Sequence, residues 1–116
     1  ILWNDGRTTE ECDYLNNEIG KETLSEYTAN ISFTGFTAPK ILWVKNKEPE
    51  NFARIKKIML PKDYLAYKLT GEHCTDVSDA SGMLHLDVKN RSYLRAMNVS
   101  VRSYRRLQKN WAYLRM

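Results

Sequence analysis

Two short stretches hold side chains whose types and spacing could do chemistry. Trp3-Asn4-Asp5-Gly6-Arg7 sets an aromatic ring, an acid and a base side by side. The apolar Ile1-Leu2-Trp3 followed by Asn4-Asp5-Gly6 reads as a β-strand end running into a turn. The carboxyl edge of an open α/β sheet is where ligands sit. There an indole face packs on the C–H side of a sugar, while carboxylate and amide groups hydrogen-bond its hydroxyls. The competing reading is a core tryptophan followed by a polar turn. The second stretch, Asp76-Val77-Ser78-Asp79-Ala80-Ser81-Gly82, offers two carboxylates three residues apart. Aimed into one cleft they would serve acid–base or metal chemistry. With no third ligand at a suitable spacing, a turn and helix N-cap is the favoured reading. His73 and His85 are isolated, and His85 lies in an apolar run that suits a core or edge histidine better than a ligand. The sequence contains no Gly-rich phosphate loop, HExxH, GxSxG or zinc spacing.

The elements that must position these residues follow from caps and breakers. Thr8 with Glu11 forms a capping-box pattern, after which Cys12, Leu15 and Ile19 share a helical face that Gly20 ends. Glu22 to Tyr27 is a second, shorter helix, and Asn30 to Thr34 a loop. Gly35-Phe36-Thr37-Ala38-Pro39 then delivers the chain into a helix, with freedom at Gly35, an N-cap at Thr37 and Pro39 in the first turn. That helix carries Ile41, Leu42 and Val44 inward and leaves Lys40, Lys45 and Lys47 to solvent. Glu48-Pro49-Glu50 restarts a helix with Phe52 and Ile55 inward, and Ile58-Met59-Leu60 is a buried strand candidate. Pro61 opens a helix with Leu65 and Leu69 on one face, closed by Gly71. Met83 to Asp87 alternates like a strand. Interleaved strands and helices make the expected class α/β.

Composition bounds the rest. The 116 residues suit one small domain or part of a larger one. No apolar run approaches membrane-spanning length. Ile1-Leu2-Trp3 lacks both Met and a signal-peptide layout, as an internal cut would. Cys12 and Cys74, far apart and outside any CxxC, read as reduced thiols of a cytoplasmic protein. The net charge of +4 averages two unlike pieces. Residues 1–90 are mildly acidic, whereas residues 91–116 hold seven bases (Arg91, Arg95, Arg102, Arg105, Arg106, Lys109, Arg115) and no acid. Lys89–Arg91 is therefore the expected boundary between a domain segment, 1–90, and a basic tail, 91–116.

The string Gly35, Thr37, Lys40, Ile41, Trp43, Val44 and Asn46 resembles the first signature of the FGGY carbohydrate kinases. Lys47 stands where that family usually has Asn, Gln, His or Glu. Trp3-Asn4-Asp5-Gly6-Arg7 is similar to the W-x-D-x-R segment of the family's bacterial xylulokinase branch. Leu60-Pro61-Lys62-Asp63-Tyr64-Leu65, Leu69-Thr70-Gly71-Glu72, Thr75-Asp76 and Ser78-Asp79-Ala80-Ser81-Gly82 follow in that branch's order. The resemblance runs through about residue 90. It implies part of an N-terminal domain with the ribonuclease-H-like fold shared by actin and hexokinase. It further implies ATP-dependent phosphorylation of D-xylulose, with Mg²⁺ and a catalytic Asp that acts as base. Trp3 and Asp5 become the implied substrate-binding residues, and Gly35, Thr37, Lys40 and Trp43 the signature. The family's Asp-x-Gly-Thr phosphate hairpin and Gly-Asp-Asn-Ala segment are expected before and after this chain, whose ATP and Mg²⁺ sites would lie outside it. The implied partner is a small sugar, with no membrane or nucleic acid; the oligomeric state is not legible.

The tail departs from that pattern. Its bases and aromatics (Tyr93, Tyr104, Trp111, Tyr113) fit an alternative reading of the chain as a non-catalytic binding module that contacts nucleic acid. Its apolar spacing is poor for an amphipathic helix, so a solvated or weakly ordered tail is the plainer expectation. A third reading is translation out of frame from about Ser92. Joining each codon's third base to the next two forces Glu at Met97-Asn98, Leu at Asn110-Trp111 and Gly at Trp111-Ala112. Permitted codon choices elsewhere give an acidic, kinase-like continuation. A tail of that origin was never selected to pack on the domain.

Overall fold

The computed structural model describes residues 1–90 and the backbone of residues 92 and 93. Helix α1 (Thr9–Tyr14) passes into a π-helical turn (Leu15–Gly20), followed by α2 (Lys21–Thr28). Gly20 makes the break between them at φ +94, a conformation that L side chains rarely adopt. Then come α3 (Thr37–Lys47), α4 (Pro49–Arg54), α5 (Pro61–Thr70) and α6 (Val77–Ser81). The chain closes on an antiparallel ribbon of β1 (Leu86–Asp87) and β2 (Ser92–Tyr93), with Leu86 opposite Tyr93 and Asp87 opposite Ser92. Asp87 holds the intervening turn, accepting from the backbone and side-chain nitrogens of Asn90 at 3.0 and 2.9 Å.

The α/β expectation is therefore not confirmed among the described residues, which are mainly helical. Ile1-Leu2-Trp3 and Ile58-Met59-Leu60 do not form strands. An isolated extended segment gains ladder hydrogen bonds only from a neighbouring strand, and among the described residues no strand lies beside either of them. Ile58 and Leu60 are half-buried connectors instead. Ile58 touches both apolar clusters, the larger being Leu15, Leu24, Ala38, Ile41, Leu42 and Leu84 and the smaller Ala80, Met83 and Leu86. The backbone N–H of Ala38 donates to Met83 O at 3.1 Å and ties the two together. Met83 to Asp87 is buried throughout rather than alternating.

Several caps are used differently from expectation. Thr8 makes no side-chain cap for α1; its hydroxyl donates to Thr34 O at 3.3 Å. Glu11 accepts from Asn46 of α3 at 3.3 Å. The supposed capping box thus anchors α1 to the loop and to α3. Asn16 adds a two-way amide clamp on Ser32, at 2.9 and 3.0 Å. Phe36, not Thr37, is the N-cap of α3. Helix α5 begins at Pro61 and ends at Gly71 (φ +76) as expected, but Leu65 and Leu69 face outward, 60% and 78% exposed. Its inward residue is Asp63, which accepts from the Leu60 N–H at 3.1 Å. A docked carboxylate fixes the helix's rotation here, against its apolar spacing. Beyond residue 93 the tail lies outside the described residues, and so do the readings made of it there.

Candidate functional site

Residues 3–7 and the start of α3 come together. Asp5 is held at both oxygens by Arg7: the Arg7 N–H donates to Oδ1 at 3.0 Å, Nε to Oδ2 at 2.9 Å, and a terminal nitrogen lies 2.8 Å from Oδ2. This hydrogen bonding holds the Asp5 carboxyl below its usual range. The Arg7 guanidinium sits over the half-buried Trp43 ring, 5.0 Å from its centroid, within cation–π range. Helix α3 roots that ring, because Ile41 and Leu42, the two residues before it, are buried in the core.

Gly35 and Lys40 brace the same corner. A Cβ on Gly35 would meet the Trp3 carbonyl oxygen at 2.8 Å, so the absence of a side chain allows the two segments to approach. Lys40 is not free in solvent as its spacing suggested. It is half-buried and its Nζ donates to Gly35 O at 2.7 Å. Burial lowers its pKa, against the pull of the Asp5 charge. Thr37 is the first residue of α3 and makes no side-chain cap; its neighbour Ala38 finds its backbone partner in Met83 instead. Trp3 is 79% exposed among the described residues. The sequence singled out Asp5, Gly35, Lys40 and Trp43 separately and missed the contact between Arg7 and Trp43.

The second candidate resolves as structure. Asp76 caps α6, accepting from the Asp79 N–H at 3.0 Å. Lys62 Nζ lies 2.6, 2.8 and 3.3 Å from carboxylate oxygens of Asp63, Asp76 and Asp79. The ammonium already occupies the place where these acids converge. Burial alone would lower the Lys62 pKa, yet its bonds to Asp63 and Asp76 outweigh that and raise it. Asp76 is lowered to about 2, chiefly by its hydrogen bond with Lys62. His73 stacks on Tyr67 at 3.9 Å. His85 is 2% exposed in the core, and burial lowers it to about 4.

The family resemblance implies MgATP, and the described residues do not fit it. No three His, Cys, Asp or Glu among them group as a metal would require, and the nearest approach to such a group is filled by Lys62. Nor do they include a Gly-rich phosphate loop. A hollow of about 280 Å³ between α1 and α3, reached past Glu10 and Lys47, includes none of Trp3, Asp5 or Arg7. Among the described residues, no helix is long and apolar enough to cross a membrane.

Known proteins resemble this chain over the same region. The xylulose kinase of Lactococcus lactis subsp. lactis is 50% identical over 93 residues, covering 80% of this chain and 18% of that protein. The xylulose kinase of Escherichia coli K12 is 48% identical over 93 residues, 80% of this chain and 19% of its own. The crystal structure of a xyloylose kinase from Brucella ovis superposes with a TM-score of 0.75 at 46% identity, covering 81% of this chain and 19% of that one. The chain thus spans about a fifth of the length of the relatives it matches. The model of the FGGY family of carbohydrate kinases, N-terminal domain, matches residues 1–102, past the compositional break near Arg91. This chain belongs to the FGGY family of carbohydrate kinases, as part of that N-terminal domain.

Proposed function

We propose that this chain supplies part of the sugar-binding wall of an ATP-dependent kinase acting on D-xylulose, within a ribonuclease-H-like domain. The observation that carries the reading is Trp3, which is 79% exposed two residues before a carboxylate oriented at both oxygens. An exposed ring next to a fixed acceptor suits a polyhydroxylated ligand, with C–H groups on the ring and hydroxyls on Asp5. The identity to xylulose kinases supports D-xylulose as the sugar.

The role proposed for these residues is binding and orientation. Asp5, kept ionised by Arg7, is an acceptor for a sugar hydroxyl, and Trp3 excludes water from one face of the ring. Holding a hydroxyl in line for attack supplies a large share of a transfer reaction's acceleration. Proton removal and phosphate stabilisation are assigned to parts of the family's polypeptide that match no motif here. A chimaera carrying residues 1–90 in place of the matching segment of the Escherichia coli enzyme tests the role. Trp3→Ala in it should raise the KM for D-xylulose and leave that for ATP unchanged. An equal rise in both would make Trp3 a structural residue.

A further inference from the structure

We propose that Arg7 is a positioning residue for Asp5, held in its plane by the ring of Trp43, so that a helix α3 residue governs the carboxylate without touching sugar. The inference rests on the reading of Asp5 as a sugar-binding group. An acid and a base two residues apart on a surface turn ordinarily gain little from each other, because both side chains rotate freely. Here both Asp5 oxygens are engaged, one by the Arg7 backbone and one by its side chain. The side-chain half of that hold needs the guanidinium plane fixed. A guanidinium is planar and its donors point in a rigid fork, so an aromatic ring that holds the cation in place restricts where its N–H groups can point.

Trp43 provides that face at 5.0 Å from a helix whose Ile41 and Leu42 are locked in the core. Two neighbours sharpen the point. Lys40, a cation of α3 that feels the Asp5 charge, is committed to Gly35 O at 2.7 Å and does not replace Arg7. Glu48, at the C-terminal end of α3, also attracts the Arg7 charge. Without the ring, Arg7 is free to turn toward Glu48 and release Asp5. The position of a family-signature tryptophan is explained by this link, because the ring reaches a different segment of the chain rather than the core alone.

The test uses the whole 116-residue chain with ¹³C-labelled carboxyls, following the Asp5 titration by NMR. Arg7→Gln should move the Asp5 midpoint up toward an ordinary carboxylate. Trp43→Leu should move it in the same direction although it removes no charge and no hydrogen bond to Asp5. Trp43→Phe should give an intermediate midpoint, since a smaller ring holds a cation less well. Circular dichroism at 222 nm reports whether each variant folds, and Trp43→Phe decides the question if Trp43→Leu does not. A folded Trp43→Leu, or failing that a Trp43→Phe, with the wild-type Asp5 midpoint overturns the proposal. No sugar enters this titration, so its outcome is independent of the D-xylulose assays that test Asp5 as a binding group.

Discussion

Replacing Lys62 by Met removes the ammonium on which Asp63, Asp76 and Asp79 converge and keeps most of the aliphatic stem. Asp63 is the decisive partner, because it is 2% exposed and, among the described residues, accepts from the Leu60 N–H and from Lys62. Breaking a buried ion pair by removing one member costs roughly 3–5 kcal/mol. The Lys62 side chain is 42% exposed, so solvent screening reduces the expected loss to about 2 kcal/mol. The contacts to Asp76 and Asp79, both about half exposed, add little at neutral pH. In urea, with a slope of about 1 kcal/mol/M, the midpoint of Lys62→Met should fall by about 2 M.

The pH dependence has a definite sign. Asp76 is lowered to about 2 from 3.8, so its share of stability is present above pH 3.8 and lost as pH falls toward 2. Only the part of the gap between wild type and Lys62→Met that Asp76 carries, small because the pair is about half exposed, should close over that window. An unchanged urea midpoint at pH 7 would refute the reasoning and leave the cluster a solvated surface feature.

Three other outcomes are expected. Gly35→Ala places a Cβ 2.8 Å from the Trp3 carbonyl oxygen, and should cost about 1–3 kcal/mol in thermal or urea unfolding; wild-type stability would show that the two segments separate freely. His85, buried and lowered to about 4 from 6.5, contributes stability that is complete above pH 6.5 and is lost as pH falls toward 4. His85→Leu should flatten stability between pH 7 and 4, and an unaltered slope would place the pH dependence elsewhere. The coding DNA should spell an acidic, kinase-like stretch in the shifted frame from about Ser92; if it does not, the basic tail has to be treated as a binding element.

The sequence was most informative where a residue type has one physical use. Pro61 and Gly71 bracket α5, Gly20 breaks the first helical run, and Asp76 caps α6, each as its chemistry dictates. Local patterns failed where long-range contacts compete for the same group. The Thr8 hydroxyl leaves its own helix for Thr34, Lys40 turns back to Gly35, and Asp63 draws α5 inward on the face opposite to the one its leucines suggested. The strands expected at Ile1–Trp3 and Ile58–Leu60 need neighbours that the described residues do not provide. At the site, Asp5 and Trp3 were visible as a motif, whereas the stack of Arg7 on Trp43 joins residues 36 apart in sequence and left no local trace.

The most direct test of the central claim is a coupled ADP assay on two proteins, the 116-residue chain and the Escherichia coli chimaera carrying its residues 1–90. The chain alone should show no D-xylulose-dependent ATP turnover, because the family's phosphate hairpin and catalytic Asp segment are not in its sequence. The chimaera should turn over D-xylulose above background, with a KM that Trp3→Ala raises. Turnover by the chain alone, or a folded chimaera that phosphorylates no D-xylulose, would contradict the assignment of these residues to the sugar wall of a xylulose kinase.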